Sequence, residues 1–172
     1  WRFGTTNFLP VFELSRGTHL GNWYPRATLS GPIQKGRAWF SDGASVQHGF
    51  SLVREQPRGA DTSTYWAGDN LLRGQYNLSS AHTLHGSVLY NLTETRRTGL
   101  GPYTPVSTTI DSHAHRTFVS GKDQISLANG VLEVGVARDE DHFALSPRGS
   151  AAYVLTPTGP TGNYFQNLET NS

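Results

Sequence analysis

The chain has 172 residues, a net charge of +1 and 16% charged residues, room for one domain without a basic nucleic-acid footprint or an acidic tail. It has no cysteine, which excludes a disulfide framework and any thiolate metal site. No stretch approaches 18 apolar residues, so no membrane-spanning helix is expected.

Nineteen glycines, nine prolines and 11% aromatics, with abundant Thr, Ser and Asn, point to strands and turns rather than to disorder. Methionine is absent, even at position 1, so a start of Trp1-Arg2-Phe3 sets the expectation of a processed or truncated piece of a longer protein. No signal peptide is visible.

Along the chain, period two recurs and period 3.6 does not. Arg26–Ile33 and Arg37–Val53 flank a short Gln34-Lys35-Gly36 turn, and a long loop follows from Arg54 to Ser63. The clearest alternation is Asn70–Leu78 (NLLRGQYNL) and, after SSAHT, Leu84–Leu92 (LHGSVLYNL). Leu72, Gly74, Tyr76, Leu84, Gly86, Val88 and Tyr90 fall on one face; Arg73, Gln75, Asn77, His85, Ser87 and Asn91 fall on the other. Pairing Leu78 with Leu84 sets Tyr76 against Gly86, Leu72 against Tyr90, Arg73 against Leu89 and Gln75 against Ser87, which keeps one greasy face.

A second long loop runs from Thr95 to Asp111. Arg116–Leu127 then enters, and Val131–Arg138 leaves, a hairpin around Asn129-Gly130, the dipeptide suited to a type I′ turn. Ala151–Leu155 is a further short strand before PTGPTGN. The sum is an all-β meander of about seven strands, with no helix of consequence, linker, low-complexity tract or strict repeat.

A soluble sandwich would have to fill its core with Leu72, Tyr76, Val88, Tyr90 and Val134, interrupted by Gly74, Gly86 and Gly135. Such a core is thin. An outer-membrane barrel has no such difficulty, because lipid covers the apolar face and water fills the other. Strands of nine to twelve residues suit a tilted crossing. Trp23-Tyr24, Trp39-Phe40, Tyr65-Trp66 and Tyr90 lie towards strand ends, either as interfacial girdles or as ordinary core aromatics.

With these residues placed, the chain resembles the TonB-dependent outer-membrane receptors, in particular the branch with a carboxypeptidase-regulatory-like domain ahead of plug and barrel. The resemblance rests on ATLSGPIQKGRAWF (Ala27–Phe40), on NLLRGQYNL with HTLHGSVLYN (Asn70–Leu78, His82–Asn91), on KDQI (Lys122–Ile125) and on the Pro147–Phe165 run. It spans roughly Gly21 to Phe165, and the order of the four segments carries it, SGPI being the best of them. The resemblance implies an up-and-down antiparallel wall segment of a barrel of about 22 strands. Residues 1–172 are then one segment from the early barrel, without the plug and the remaining strands. Implied with it are an outer membrane of the Gram-negative type and import of a large ligand of the siderophore or oligosaccharide class. The implied partners are outer-membrane lipid, the receptor's own plug and remaining strands, and the energy-coupling TonB protein through regions lying elsewhere; no nucleic acid is implied. The alternative from another class is a soluble β-sandwich binding module, for carbohydrate for example, that stacks its ligand on exposed Trp and Tyr.

No enzyme is expected, and no catalytic, cofactor-binding or metal-binding residue is assigned. Asp111–Arg116 (DSHAHR) starts like a metal site, but His19, His48, His82, His85 and His142 stand in no ligand spacing to His113 and His115. The pair reads as a loop or a lumen-facing surface. TPTGPTGN lacks the lysine and helix of a phosphate loop. Asn77-Leu78-Ser79 and Asn91-Leu92-Thr93 match the glycosylation tripeptide by chance inside strands. Asp139-Glu140-Asp141 reads as a solvated turn, and Arg73, Glu94, Asp123 and Glu133 as lumen-lining residues. No Ser-His-Asp pattern has a nucleophile elbow.

Overall fold

The fold is taken from a computed structural model, in which residues 7–8, 22–150, 154–161 and 168–171 are described. Three strands come first: β1 (Asn7–Phe8), β2 (Trp23–Tyr24) and β3 (Arg26–Gln34). Five long ones follow: β4 (Ala38–Leu52), β5 (Thr62–Asn77), β6 (His82–Thr98), β7 (Ile110–Leu127) and β8 (Gly130–Pro147). Short strands close the chain: β9 (Val154–Thr156), β10 (Gly159–Thr161) and β11 (Leu168–Asn171). The one helical element among the described residues is a 3₁₀ turn at Val106–Thr108.

The main sheet is antiparallel, in the order β1-β2-β4-β5-β6-β7-β8-β11, with β3 also on β4. Successive long strands pair with their chain neighbours, so the meander expected from the sequence is present and the sheet is open. Trp23 of β2 and Arg26–Gln34 of β3 pair with the same edge of β4, parted at Pro25, which has no N–H to give. The expected strand at Ala151–Leu155 lies partly outside the described residues; Val154–Thr156 pairs with Gly159–Thr161 in a separate hairpin.

The strands outrun their expected ends. The segment read as Asn70–Leu78 begins at Thr62, and that read as Val131–Arg138 continues to Pro147. The added residues, such as Thr62–Trp66, are β-branched, aromatic and polar, so they suit a strand without giving apolar alternation. The central register also differs from the expected one by two residues. Tyr76 pairs with Leu84, Gly74 with Gly86 and Leu72 with Val88. The cause is a tighter turn: Ser79 Oγ accepts the N–H groups of Ala81 (3.2 Å) and His82 (3.1 Å), leaving only residues 78–81 outside the ladder. A shift of two preserves every side chain's face.

The other turns are as short. Gln34 pairs with Ala38 around three residues, and Gly36 takes the positive φ of 73° that this connection needs. Leu127 pairs with Gly130, so Ala128-Asn129 is the connection rather than Asn129-Gly130. No residue there has positive φ, so the expected type I′ turn is not made. The register that results brings Lys122 to Glu133 and Arg116 to Asp139 across the strand pair.

A hydrophobic core is nearly missing. Ala38 is the sole buried apolar residue among those described, beside the buried polar Ser45, Thr108 and Thr109. Leu72 is 42% exposed, Val134 57% and Val136 80%. A sheet normally buries one face against a second layer. The only other sheet described is the β9–β10 hairpin, which meets the 3₁₀ turn instead.

Candidate functional site

Residues directly opposite in an antiparallel ladder carry their side chains on the same face. The first face therefore contains the rows Ala38–Tyr76–Leu84–Asp123–Val134, Phe40–Gly74–Gly86–Gly121–Val136 and Asp42–Leu72–Val88–Val119–Arg138. Along β6 it reads Leu84, Gly86, Val88, Tyr90, Leu92, nine residues of strand without a charge and about 27 Å at about 3.4 Å per residue. The aligned glycines floor an apolar depression of about 910 Å³, walled in part by Phe40, Leu72, Tyr76 and Val88. A Cβ added at Gly74 would meet nothing within 4 Å, so the depression is open there.

The acids on this face are each held. Asp42 accepts from Asn70 Nδ2 at 2.8 Å, and Asp123 lies 2.7 Å from His82 Nδ1. Asp123 and Glu94 stand on the first face, with Leu84 and Tyr90, and not beside Arg73 and Glu133 as the lumen reading had them. The register of β6 against β7 decides this.

The second face is polar along the same rows: Ser41–Arg73–Ser87–Ser120–Ala137 and Trp39–Gln75–His85–Lys122–Gly135. Ser87 and Ser120 hydroxyls are 2.6 Å apart, and Lys122 Nζ donates to Glu133 at 2.9 Å. One apolar row, Leu71–Leu89–Phe118, interrupts it. Asp139-Glu140-Asp141 is no turn but the middle of β8. Arg116 on β7 pairs with Asp139 and Asp141, and Arg138 with Glu140, so neutralisation from both sides lets three acids sit in a strand.

DSHAHR lies in β7 and not in a loop, and its two histidines are not on the polar face. His113 and His115 are on the first face, and pairing of β7 with β8 sets His142 opposite His115. The ring centroids of His115 and His142 are 4.8 Å apart, and His113 stands 5.6 Å and 6.2 Å from them. Sequence spacing could not reveal His142, because the register supplies it. Among the described residues no three His, Asp or Glu side chains converge to hold a metal ion.

The loop end of the sheet is organised by Asp111. Its Oδ1 accepts the Arg97 backbone N–H at 2.8 Å and Arg148 Nε at 2.8 Å, and its Oδ2 is 2.6 Å from an Arg148 terminal nitrogen. Partial burial pushes this carboxyl up. The Arg148 guanidinium, the Arg97 N–H and the nearby Arg96 charge outweigh that and hold it below the ordinary carboxylate value. Arg97 has a φ of 58°, the one positive value at a non-glycine residue described. Its guanidinium donates to the carbonyls of Thr62 (3.1 Å) and Gly59 (2.9 Å). Gln56 Nε2 ties the two long loops together by donating to Gly101 O at 2.8 Å and Thr104 O at 3.1 Å. None of these roles was legible in the sequence. The Arg96-Arg97 pair ahead of Thr98-Gly99 is the one local sign of an unusual backbone. Compared with protein-family models, curated proteins and solved structures, the chain matches none of them.

Proposed function

We propose that this chain is a wall segment of an outer-membrane β-barrel, of the kind found in TonB-dependent receptors that import ligands too large for porins. On this reading the first face meets lipid and the second faces a water-filled interior shared with the plug. The observation that carries it is the strip Leu84–Leu92 with its neighbours Leu72, Tyr76, Val88 and Val119, apolar and uncovered. Its nine residues fall within the 9–11 of a tilted crossing, and about 27 Å along a strand tilted by about 40° gives a height of about 21 Å, somewhat under the apolar band of about 25 Å on membrane barrels.

The connections point the same way. Two- to four-residue turns join the strands at one end and loops of residues 53–61 and 99–109 at the other, the asymmetry of periplasmic turns and outer loops. Tyr76 and Tyr90 bracket the strip as interfacial aromatics do. A soluble sandwich, the other reading of the sequence, would need a second sheet over Leu72 and Val88, and the described residues supply none.

The direct test places a tryptophan on each face of the chain refolded into vesicles whose acyl chains carry bromine. Val88→Trp fluorescence is expected to be quenched by the brominated chains. Ser87→Trp, one residue away, is expected to be quenched instead by aqueous acrylamide. Equal acrylamide access at both positions would remove the lipid contact from the proposal.

A further inference from the structure

Beyond the apolar strip, at the loop end of the first face, β4, β5 and β6 enclose a cavity of about 450 Å³. Phe50 and the polar His48, Thr62, Thr64, Arg96, Arg97 and Arg148 line it. Three guanidiniums around one space is an uncommon arrangement, because like charges held together repel unless something anionic sits among them. Two carboxylates pair with these arginines, and a third, Asp61, accepts the Thr62 hydroxyl at 3.3 Å. Glu94 Oε1 takes Arg96 Nε at 2.6 Å, and Asp111 takes Arg148. Arg97 has no carboxylate on its guanidinium among the described residues; its two hydrogen bonds go to main-chain carbonyls. Among the described residues Arg97 is thus the one guanidinium of the three that no carboxylate contacts directly.

Donor capacity is also in excess. A guanidinium has five N–H donors and no acceptor. Arg96, whose side chain is 61% exposed, engages Glu94 through Nε, and among the described residues its two terminal nitrogens carry no hydrogen bond. His48 adds a buried Nδ1 without a hydrogen-bond partner, in a ring packed against Trp23 and Trp66 at centroid distances of 5.6 Å and 4.3 Å. The backbone at Arg97 is held in the left-handed region that costs a non-glycine residue of order 1–3 kcal/mol. The bonds from Asp111 and to Thr62 and Gly59 hold it there, and they also fix its charge at the cavity wall.

We propose that this cavity is an oxyanion site that takes a phosphate group. The forked, planar geometry of arginine matches phosphate oxygens two at a time, and the Thr64 hydroxyl adds a neutral donor. The phosphate could belong to a lipid headgroup lying beside the apolar strip or to a phosphorylated solute. The chemistry is the same in both cases, and the site stands whether or not the apolar face meets lipid.

The test uses the whole chain in detergent micelles, titrated calorimetrically with inorganic phosphate, and the chain in vesicles, comparing phosphatidate with phosphatidylcholine. Saturable 1:1 binding is expected in at least one arm. Binding of phosphatidate with none of free phosphate assigns the headgroup source, and the reverse assigns a solute. Arg96→Gln should weaken binding roughly tenfold, the effect of one charge-assisted hydrogen bond. Lys122→Gln, a cation removed from the second face, should leave it unchanged. In the unaltered chain, bound phosphate should also shield Arg96, Arg97 and Arg148 from phenylglyoxal, read by peptide mass spectrometry, while Arg73 stays reactive. No saturable binding in either arm overturns the proposal. So does equal weakening by Arg96→Gln and Lys122→Gln, or shielding that does not distinguish Arg73 from the three.

Discussion

At the turn end of the sheet, residues 35–37, 78–81 and 128–129 are all that separate paired strands, and the first face there exposes Leu72, Leu84, Val88 and Val134 around the glycines, with Asp123 among them. At the loop end, residues 53–61 and 99–109 cross over the strands, and the fully buried Thr109, the Gln56 bonds and the Asp111 hub tie them down. The turn end has separate side-chain pairs, such as Asp123 with His82 and Lys122 with Glu133, and an apolar area still exposed. The loop end has little apolar area and many directed hydrogen bonds. One half leaves its apolar face uncovered; the other fastens its long loops by hydrogen bonds and keeps unused donors at Arg96 and His48.

The sharpest way to break this contrast is to charge the uncovered half. Val88→Arg on the first face is expected to destabilise the chain in bilayers by roughly 2–4 kcal/mol, the cost of a cation near mid-membrane. Ser87→Arg, next to it on the second face, should change stability by less than about 0.5 kcal/mol. Urea unfolding in phosphatidylcholine vesicles measures both. Equal losses, or a larger loss for Ser87→Arg, would show that the two faces do not differ in what covers them.

How far the sequence foretold this division follows from the kind of signal each half carries. The alternation Leu72, Gly74, Tyr76 against Arg73, Gln75 places both faces of the turn end, because period two is local. The register came out two residues away, since a serine side chain closing a turn leaves no trace in hydropathy, yet the faces survived that error. His113 and His115 shared a face as spacing required, but which face depended on pairing with β6, and His142 on pairing with β8. The loop end was the least legible. Asp111 and Arg97 come from two strands and Arg148 from just past the end of a third, so they meet only through the ladder, and nothing near any of them in sequence names the other two.

A smaller effect probes the backbone at Arg97. Arg97→Ala keeps the left-handed φ and loses the bonds to Thr62 and Gly59. Arg97→Gly loses the same bonds and relieves the steric cost. The glycine variant is therefore expected to be more stable than the alanine variant by about 1 kcal/mol, measured by urea unfolding. Two variants of equal stability would mean the position does not hold its conformation against strain.

The smallest effect separates the two halves by acid alone. Asp111 binds its proton less readily in the folded chain than an ordinary carboxyl does, because Arg148 and the Arg97 N–H favour its charged form over the opposing cost of burial. A lowered folded value means the contribution to stability is fully present above the ordinary value of about 3.9 and is lost as pH falls through the lower folded value. Below about pH 4, protonation weakens the bonds to Arg97 N and Arg148, and the loop end should open first. Amide exchange at Arg97 should then accelerate, while amides of Leu72 and Val88 in the middle of the strip keep their protection. Asp111→Asn should show the fast exchange at Arg97 already at pH 7 and little further change on acidification. If instead the strip and the loop end lose protection together in the unaltered chain, the two ends form one cooperative unit and the difference between them is one of composition only.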